Sequence, residues 1–274
     1  MRVALAQLSA VPDKGANLRR MLELTSEAAG GGADLVVFPE CSMTGFPTPS
    51  NLAAVAEPLD GPFVSALAGA ARRHGVAVVA GLHESIAGDE RVFNTVVALD
   101  GAGACLGAYR KIHLYDAFGY RESDRIRPGE GDTLLFSLGG VHFGVETCYD
   151  LRFPELSREL AGRGAAVILL PAAWVQGPLK ESHWEILLRA RAIENTVYVA
   201  AAGMTGSTHI GSSMLVDPMG VPVARAGEGE ALVFGDVDLE RISAVRRTNP
   251  SLENARPDVY ARWRDTAEAI GRPT

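Results

Sequence analysis

Three side chains, Glu40, Lys111 and Cys148, are of the types needed to attack a carbonyl and manage the protons that follow. A thiol that attacks an amide needs a base to take its proton and later hand one to the leaving amine. It also needs positive charge or N–H donors where the oxyanion develops. Cys148 follows Val141, Phe143 and Val145, whose alternation is that of a strand with one buried face, and precedes Leu151, Leu156 and Leu160, which fall at helical spacing. Asp150 stands where an N-cap would sit, with Pro154 in the opening turn. A thiol at such a corner is expected to be held rigidly, its pKa lowered by the helix N-terminus from the usual value of about 8.5. No histidine beside it offers itself as the base; His142 lies on the preceding strand. Glu40 instead ends the apolar run that starts at Leu35, and Lys111 ends a second strand. Strand ends in an α/β fold can converge on one edge of a sheet. Taken singly, the three have ordinary readings: a core cysteine, a surface carboxylate and a solvated strand-end lysine.

The elements that must position them alternate along the chain. Strands are expected at 2–8, 35–38, 76–81, 92–99, 104–110, 133–137, 141–147, 165–170, 197–202, 212–216, 222–225 and 232–237. Helices are expected at 15–29, 62–74, from the Cys148 turn to about 163, at 178–195 and at 239–247. The unbroken apolar run 35–38 marks a strand buried on both faces. Asp100-Gly101 reads as a hairpin turn, and Pro171 as the end of the strand at 165–170. Residues 41–51, which include Pro47, read as a loop, and residues 111–123, rich in charge and aromatic rings, as a functional loop. A faint echo links Gly-Ala-Asp-Leu-Val-Val-Phe-Pro39 with Gly-Ala-Ala-Val-Ile-Leu-Leu-Pro171, as two similar half-sheets would produce. Nothing reads as a linker, so one domain is expected over 1–274, with a tail from about 248 extended at an oligomer interface.

Composition narrows the partners. At 47% hydrophobic and 22% charged residues the chain can bury a sizeable core. A net charge of −7 without a basic stripe argues against nucleic acid. The longest apolar run, 165–175, contains a proline and is too short to span a membrane. Met1-Arg2 leads straight into a strand rather than a signal h-region. Cys41, Cys105 and Cys148 are odd in number and lack metal-type spacing, which points to a reduced, cytoplasmic protein without a metal centre.

Val36-Val-Phe-Pro-Glu40, Tyr109-Arg-Lys-Ile-His-Leu114 and Cys148-Tyr-Asp-Leu-Arg-Phe-Pro-Glu155 together resemble the three catalytic blocks of the nitrilase superfamily of carbon–nitrogen hydrolases, in that family's order. The likeness runs from Ala4 to Tyr260. It implies an α/β fold, a four-layer α-β-β-α sandwich, and a homodimer or higher homo-oligomer. It implies Cys148 as nucleophile, Glu40 as general base and Lys111 as stabiliser of the tetrahedral intermediate, with the Tyr149 N–H in the oxyanion hole and no cofactor or metal. Glu122 matches a second family glutamate that orients the amide or the nucleophile. Tyr149, Arg152, Trp174 and His183 are the candidate substrate contacts, Arg152 as a salt-bridge or substrate-carboxylate partner.

Tyr149-Asp150, where nitrilases acting on true nitriles commonly carry Trp-Glu, favours amides. Leu151-Arg152 supplies only half of the arginine pair typical of N-carbamoyl-D-amino-acid hydrolases. The closest likeness is to ω-amidases and deaminated glutathione amidases, carried by 148–157 and 183–194. The expected substrate is a small amide. An N-carbamoyl amino acid hydrolase, an acyltransferase and a non-catalytic binding protein on the same fold are the alternatives. Among the remaining residues, Cys41 and Cys105 read as packing residues, and His113 as a structural hydrogen-bonding group. Trp184, Leu187 and Leu188 are interface or core candidates, and Glu146 a carboxylate paired with an arginine such as Arg152.

Overall fold

The computed structural model describes residues 1–45 and 48–270, the stretch 264–270 as backbone only. Pro47, expected in the loop after Glu40, lies outside the described residues. Fourteen strands and six α-helices follow one another as β1 (Arg2–Gln7), α1 (Lys14–Gly30), β2 (Leu35–Val37), α2 (Pro62–His74), β3 (Ala77–Ser85), β4 (Val92–Leu99), β5 (Cys105–Arg110), β6 (Asp116–Ala117), β7 (Tyr120–Arg121), β8 (Leu135–Leu138), β9 (Val141–Val145), α3 (Pro154–Gly162), β10 (Val167–Ala172), α4 (Lys180–Asn195), β11 (Tyr198–Gly203), β12 (Met214–Val216), β13 (Pro222–Arg225), β14 (Ala231–Asp236), α5 (Leu239–Thr248) and α6 (Pro257–Ile270).

Two six-stranded sheets carry the fold, in the orders β14-β1-β2-β3-β4-β5 and β8-β9-β10-β11-β12-β13. In each, three parallel strands sit between one antiparallel strand on one side and two on the other. Helices α1 and α2 connect the parallel strands of the first sheet, and α3 and α4 those of the second. The two halves therefore share one strand order and one pattern of direction, the structural basis of the sequence echo around Pro39 and Pro171.

Period-two alternation decides which side chains enter which layer. Val3, Leu5, Val37 and Val79 of the first sheet meet Phe143, Val145, Val167 and Leu169 of the second in the central core. Their neighbours Ala4, Val36 and Val78 face outward onto Met21 and Leu24 of α1 and Phe63 and Leu67 of α2. On the far side Ile168, Leu170 and Val199 pack against Trp184 and Leu188 of α4 and Ala161 of α3. The result is the α-β-β-α sandwich. Trp184 and Leu188 are fully buried and so belong to the core.

Several local expectations change. The strand at Val167 runs on through Pro171 to Ala172, because β9 pairs only with Val167–Leu169 and leaves no ladder partner for the missing N–H. Residues 111–123 hold the small hairpin β6–β7 and the start of a 3-10 turn, Glu122–Asp124. The stretch beyond 248, expected to be extended, contains the helix α6. Cys105 is exposed rather than packed. Among the described residues no helix is long and apolar enough to cross a membrane.

Candidate active site

The end of β2 delivers Glu40, the end of β5 Lys111, the turn after β7 Glu122 and the end of β9 Cys148. Glu40 reaches its place by crossing close over β3. A Cβ on Gly81 would stand 2.6 Å from the Glu40 Cα, so glycine is required there. Cys148 has φ 47°, a left-handed backbone that turns the chain sharply out of the sheet. It opens a 3-10 turn, Cys148–Arg152, and α3 begins only at Pro154. Asp150 is therefore not the N-cap of a helix. Thr147 caps the 3-10 turn, and the Asp150 carboxylate accepts from the Thr147 N–H (2.9 Å). The same carboxylate accepts from Tyr109 Oη (2.7 Å) and lies 2.7 Å from His113 Nδ1, which ties β5 and the following loop to the cysteine turn.

Lys111 is sealed between two carboxylates. Its Nζ donates to Glu40 Oε1 (2.8 Å) and to Glu122 Oε2 (2.9 Å), and the lysine is only 2% exposed. Asn94 of β4, a residue the sequence reading passed over, donates from one Nδ2 to Glu40 Oε1 (2.7 Å) and Glu122 Oε1 (2.9 Å). Main-chain donors complete the hold: Ala173 N–H donates to the remaining Glu40 oxygen, Oε2 (2.8 Å), and Tyr115 N–H shares Glu122 Oε2 with Lys111 (2.6 Å). The Cys148 thiol hydrogen-bonds to Glu40. Since Ala173 and Cys148 belong to the second sheet and Glu40, Asn94 and Lys111 to the first, the cluster spans the sandwich.

The electrostatics follow from that enclosure. Burial works against charge on Glu40, but the Lys111 ammonium and the thiol and N–H donors outweigh it and hold the carboxyl below its ordinary pKa. Burial likewise opposes the Lys111 charge, and Glu122 and Glu40 override it, raising its pKa well above the usual value. Burial, followed by the Glu40 charge, pushes the Cys148 thiol well above its ordinary value. The expectation of a thiol activated by a helix N-terminus is overturned. A long helix does not start at Cys148, and the neighbouring cluster of two carboxylates and one ammonium is net negative. At rest the arrangement is a neutral thiol beside an ionised carboxylate.

These groups open onto a cavity of about 490 Å³. Tyr149, Arg152 and Trp174 line it, as does Glu122. His183 is not on its wall; it sits behind Arg152, its Nδ1 3.4 Å from Nη2. Lys180, Arg125, Tyr115 and His83 are lining residues the sequence reading did not single out. His83 lies 3.6 Å from Cys41 Sγ, and burial lowers its pKa to about 4, so it is neutral near pH 7 and offers no cation to the thiol.

Glu146 lies behind the site rather than in it. Fully buried on the way out of β9, it accepts from Ser157 Oγ of α3 (2.5 Å) and does not pair with Arg152. Its Oε2 has no partner among the described residues, and burial raises its pKa to about 8. A carboxyl raised in the folded state contributes stability that is fully present below its unfolded value of about 4.5 and is lost as pH rises through about 8. Each pH unit in that window costs about 1.4 kcal/mol. Glu146→Gln, which keeps the Ser157 bond, is expected to gain melting temperature relative to the parent as pH rises from 5 to 8. A Tm difference that stays flat across that range would show that the carboxyl is not held neutral.

A thiol, a carboxylate and an ammonium gathered at the strand ends of this sandwich define a class of cysteine-dependent hydrolases. The carbon–nitrogen hydrolase family model matches residues 2–247, and the chain belongs to that family. It is 40% identical to a deaminated glutathione amidase of Escherichia coli O157:H7 over 258 residues, covering 93% of this chain and 97% of the relative. It is 37% identical over 274 residues to the human deaminated glutathione amidase, covering 94% and 83% of the two chains. The solved amidase of Nesterenkonia sp. AN1 superposes with a TM-score of 0.84 at 31% identity, over 96% of this chain and 99% of that one. A variant of that amidase carries acrylamide added at its active-site cysteine. The protein is accordingly an amide-hydrolysing enzyme with the nitrilase-superfamily fold.

Proposed function

We propose that the enzyme hydrolyses a small linear amide of the ω-amidase or deaminated glutathione type through a thioester on Cys148. The observation that carries this reading is the gathering of Cys148, Glu40 and Lys111 on the wall of one cavity, with the Lys111 ammonium bound to the Glu40 carboxylate. As the sulfur attacks the amide carbon, Glu40 takes the thiol proton and the C–S bond forms. The oxyanion develops beside the Lys111 ammonium and the Tyr149 N–H. Glu40 then protonates the leaving nitrogen, and the C–N bond breaks. Water attacks the thioester with Glu40 again as base, releasing the acid and restoring the thiol. Glu122 and Asn94 hold Lys111 and Glu40 in place for both halves of the cycle. Leu151 is buried in the core where a carbamoylase would carry its second arginine, which favours amides over N-carbamoyl amino acids.

The enzyme works as a homodimer or larger assembly in the cytoplasm. Exposed Ile186 and Ile193 on α4, with Ile193 beside Gly220 between exposed Met219 and Val221, support a covered apolar face, and three free thiols support a reducing compartment.

The test is a product-release screen over ω-amides, deaminated glutathione, N-carbamoyl amino acids and simple aliphatic amides, with peptide mass spectrometry on Glu40→Gln. The expected outcome is highest kcat/KM on the first two classes and an acyl mass on the Cys148 peptide. Preference for N-carbamoyl amino acids, or an adduct elsewhere, would overturn the reading.

A further inference from the structure

The charges on the cavity wall do not balance. It carries four cations, Lys111, Arg125, Arg152 and Lys180, against two carboxylates, Glu40 and Glu122, and Lys111 already occupies both. Arg125 is spent on neutral oxygens, donating to Thr48 Oγ1 and the Pro49 carbonyl. Arg152 and Lys180 remain, and neither has a carboxylate partner among the described residues. Lys180 is only 5% exposed. A lysine buried that deeply is ordinarily paired.

The surroundings of Lys180 are built rather than incidental. The Trp174 indole donates to its carbonyl (3.0 Å) and fixes its backbone. Its Nζ stands 4.1 Å from the ring centroid of Phe118, 4.9 Å from Tyr115 and 5.5 Å from Trp174, and donates to Tyr115 Oη (2.9 Å). Arg152 uses two of the same rings, at 4.9 Å from Trp174 and 5.8 Å from Phe118. Aromatic faces attract each cation, but they do nothing to relieve the repulsion between two cations that share them. An ammonium has three donors, and among the described residues only one of them has an acceptor. An anion bound between them satisfies those donors and removes the repulsion.

We propose that Lys180, together with Arg152, forms a carboxylate subsite in the cavity that opens on Cys148, and that Lys180 makes the enzyme selective for anionic linear amides. The inference rests on the reading of Cys148 as the point of attack on the amide. The carboxylate is carried by the substrate, either on its acyl chain or on the amine it releases. Because the chain as a whole is negative, at −7, this local surplus of positive charge also draws anionic substrates inward against the wider field.

Glutaramate carries the carboxylate on the acyl side, N-butyrylglycine on the amine side, and butyramide carries none. The readout is the ratio of kcat/KM for each anionic amide to that for butyramide, in the parent, Lys180→Met and Lys180→Arg. The parent is expected to favour at least one anionic amide, identifying the side. Lys180→Met should lower that ratio by about 10- to 100-fold, the range for a hydrogen bond to a charged group, and Lys180→Arg should restore part of it. A parent ratio near one, or a ratio that Lys180→Met leaves unchanged, overturns the subsite. Titration calorimetry of glutarate into Cys148→Ala separates the two readings. Glutarate binding that is lost when Lys180→Met or Arg152→Gln is added supports the subsite even if no amide is turned over. Active amide hydrolysis with no glutarate binding sinks the subsite and leaves the hydrolase standing.

Discussion

Cys148→Ala is expected to abolish amide turnover, lowering kcat by on the order of 10⁴-fold or more, while leaving a folded protein. The loss is total in kind because no second nucleophile is in position. Cys41 also lines the cavity, but its own thiol is pushed well above its ordinary pKa by burial and by the Glu40 charge. Folding is spared because the side chain removed is small, and alanine bears the same constraint at φ 47° that cysteine does. The stability change is that of one lost hydrogen bond to Glu40, about 1 kcal/mol. Cys148→Ser should be equally inactive although its hydroxyl can still bond to Glu40, since a serine is far harder to ionise than a thiol. Steady-state product release together with a thermal melt reads both effects. Turnover at the parent rate in either variant, with the melt unchanged, would remove Cys148 from the chemistry.

Lys111→Met is expected to damage both activity and stability. It strands Glu40 and Glu122 in the interior without the cation they share, and breaking a buried pair in this way costs about 3–5 kcal/mol, a fall in Tm of roughly 10 °C. The pH dependence distinguishes this from a simple packing defect. In the parent, the raised Lys111 contributes stability that is present below its unfolded value of 10.5 and lost only as pH rises through the higher folded value. The lowered Glu40 contributes stability present above 4.5 and lost as pH falls through its folded value. The cluster is therefore at full strength between those limits. Without Lys111, burial alone governs Glu40 and raises its pKa, so Lys111→Met should recover stability as pH falls from 8 to 5. A deficit of equal size at pH 5 and pH 8, by calorimetry on both proteins, would contradict the buried-carboxylate account.

Glu40, Lys111 and Cys148 were legible because each closes a strong local pattern: an apolar run, a hairpin strand, an alternating strand before a turn. The polar residues that complete the cluster left fainter traces. Asn94 is a strand-averse side chain within Val92-Phe-Asn-Thr-Val96, and that mismatch was its one available signal. Lys180 stands near the start of the helix expected at 178–195, with no local pattern to mark it as buried. Its burial comes from Phe118, Tyr115 and Trp174, which lie outside its own helix. The Cys148 turn was misread for a specific reason. Asp150 ties back to the Thr147 N–H across a 3-10 turn, and the helical spacing of the leucines concealed the break at Phe153 before α3. The direction of the thiol's pKa was beyond local inference, because the burial that dominates it and the Glu40 charge that follows both come from residues distant in the chain.

The division of the site between the two sheets also has a consequence in time. A chain emerging from the ribosome presents Glu40, Asn94, Lys111 and Glu122 before Cys148 and Ala173 have been made. The nascent first half thus carries the proposed acid–base groups without the thiol proposed to attack. The first sheet itself waits for β14, made after the strands of the second sheet, to pair along β1. The proposed chemistry therefore becomes available only after strands of both sheets have been made.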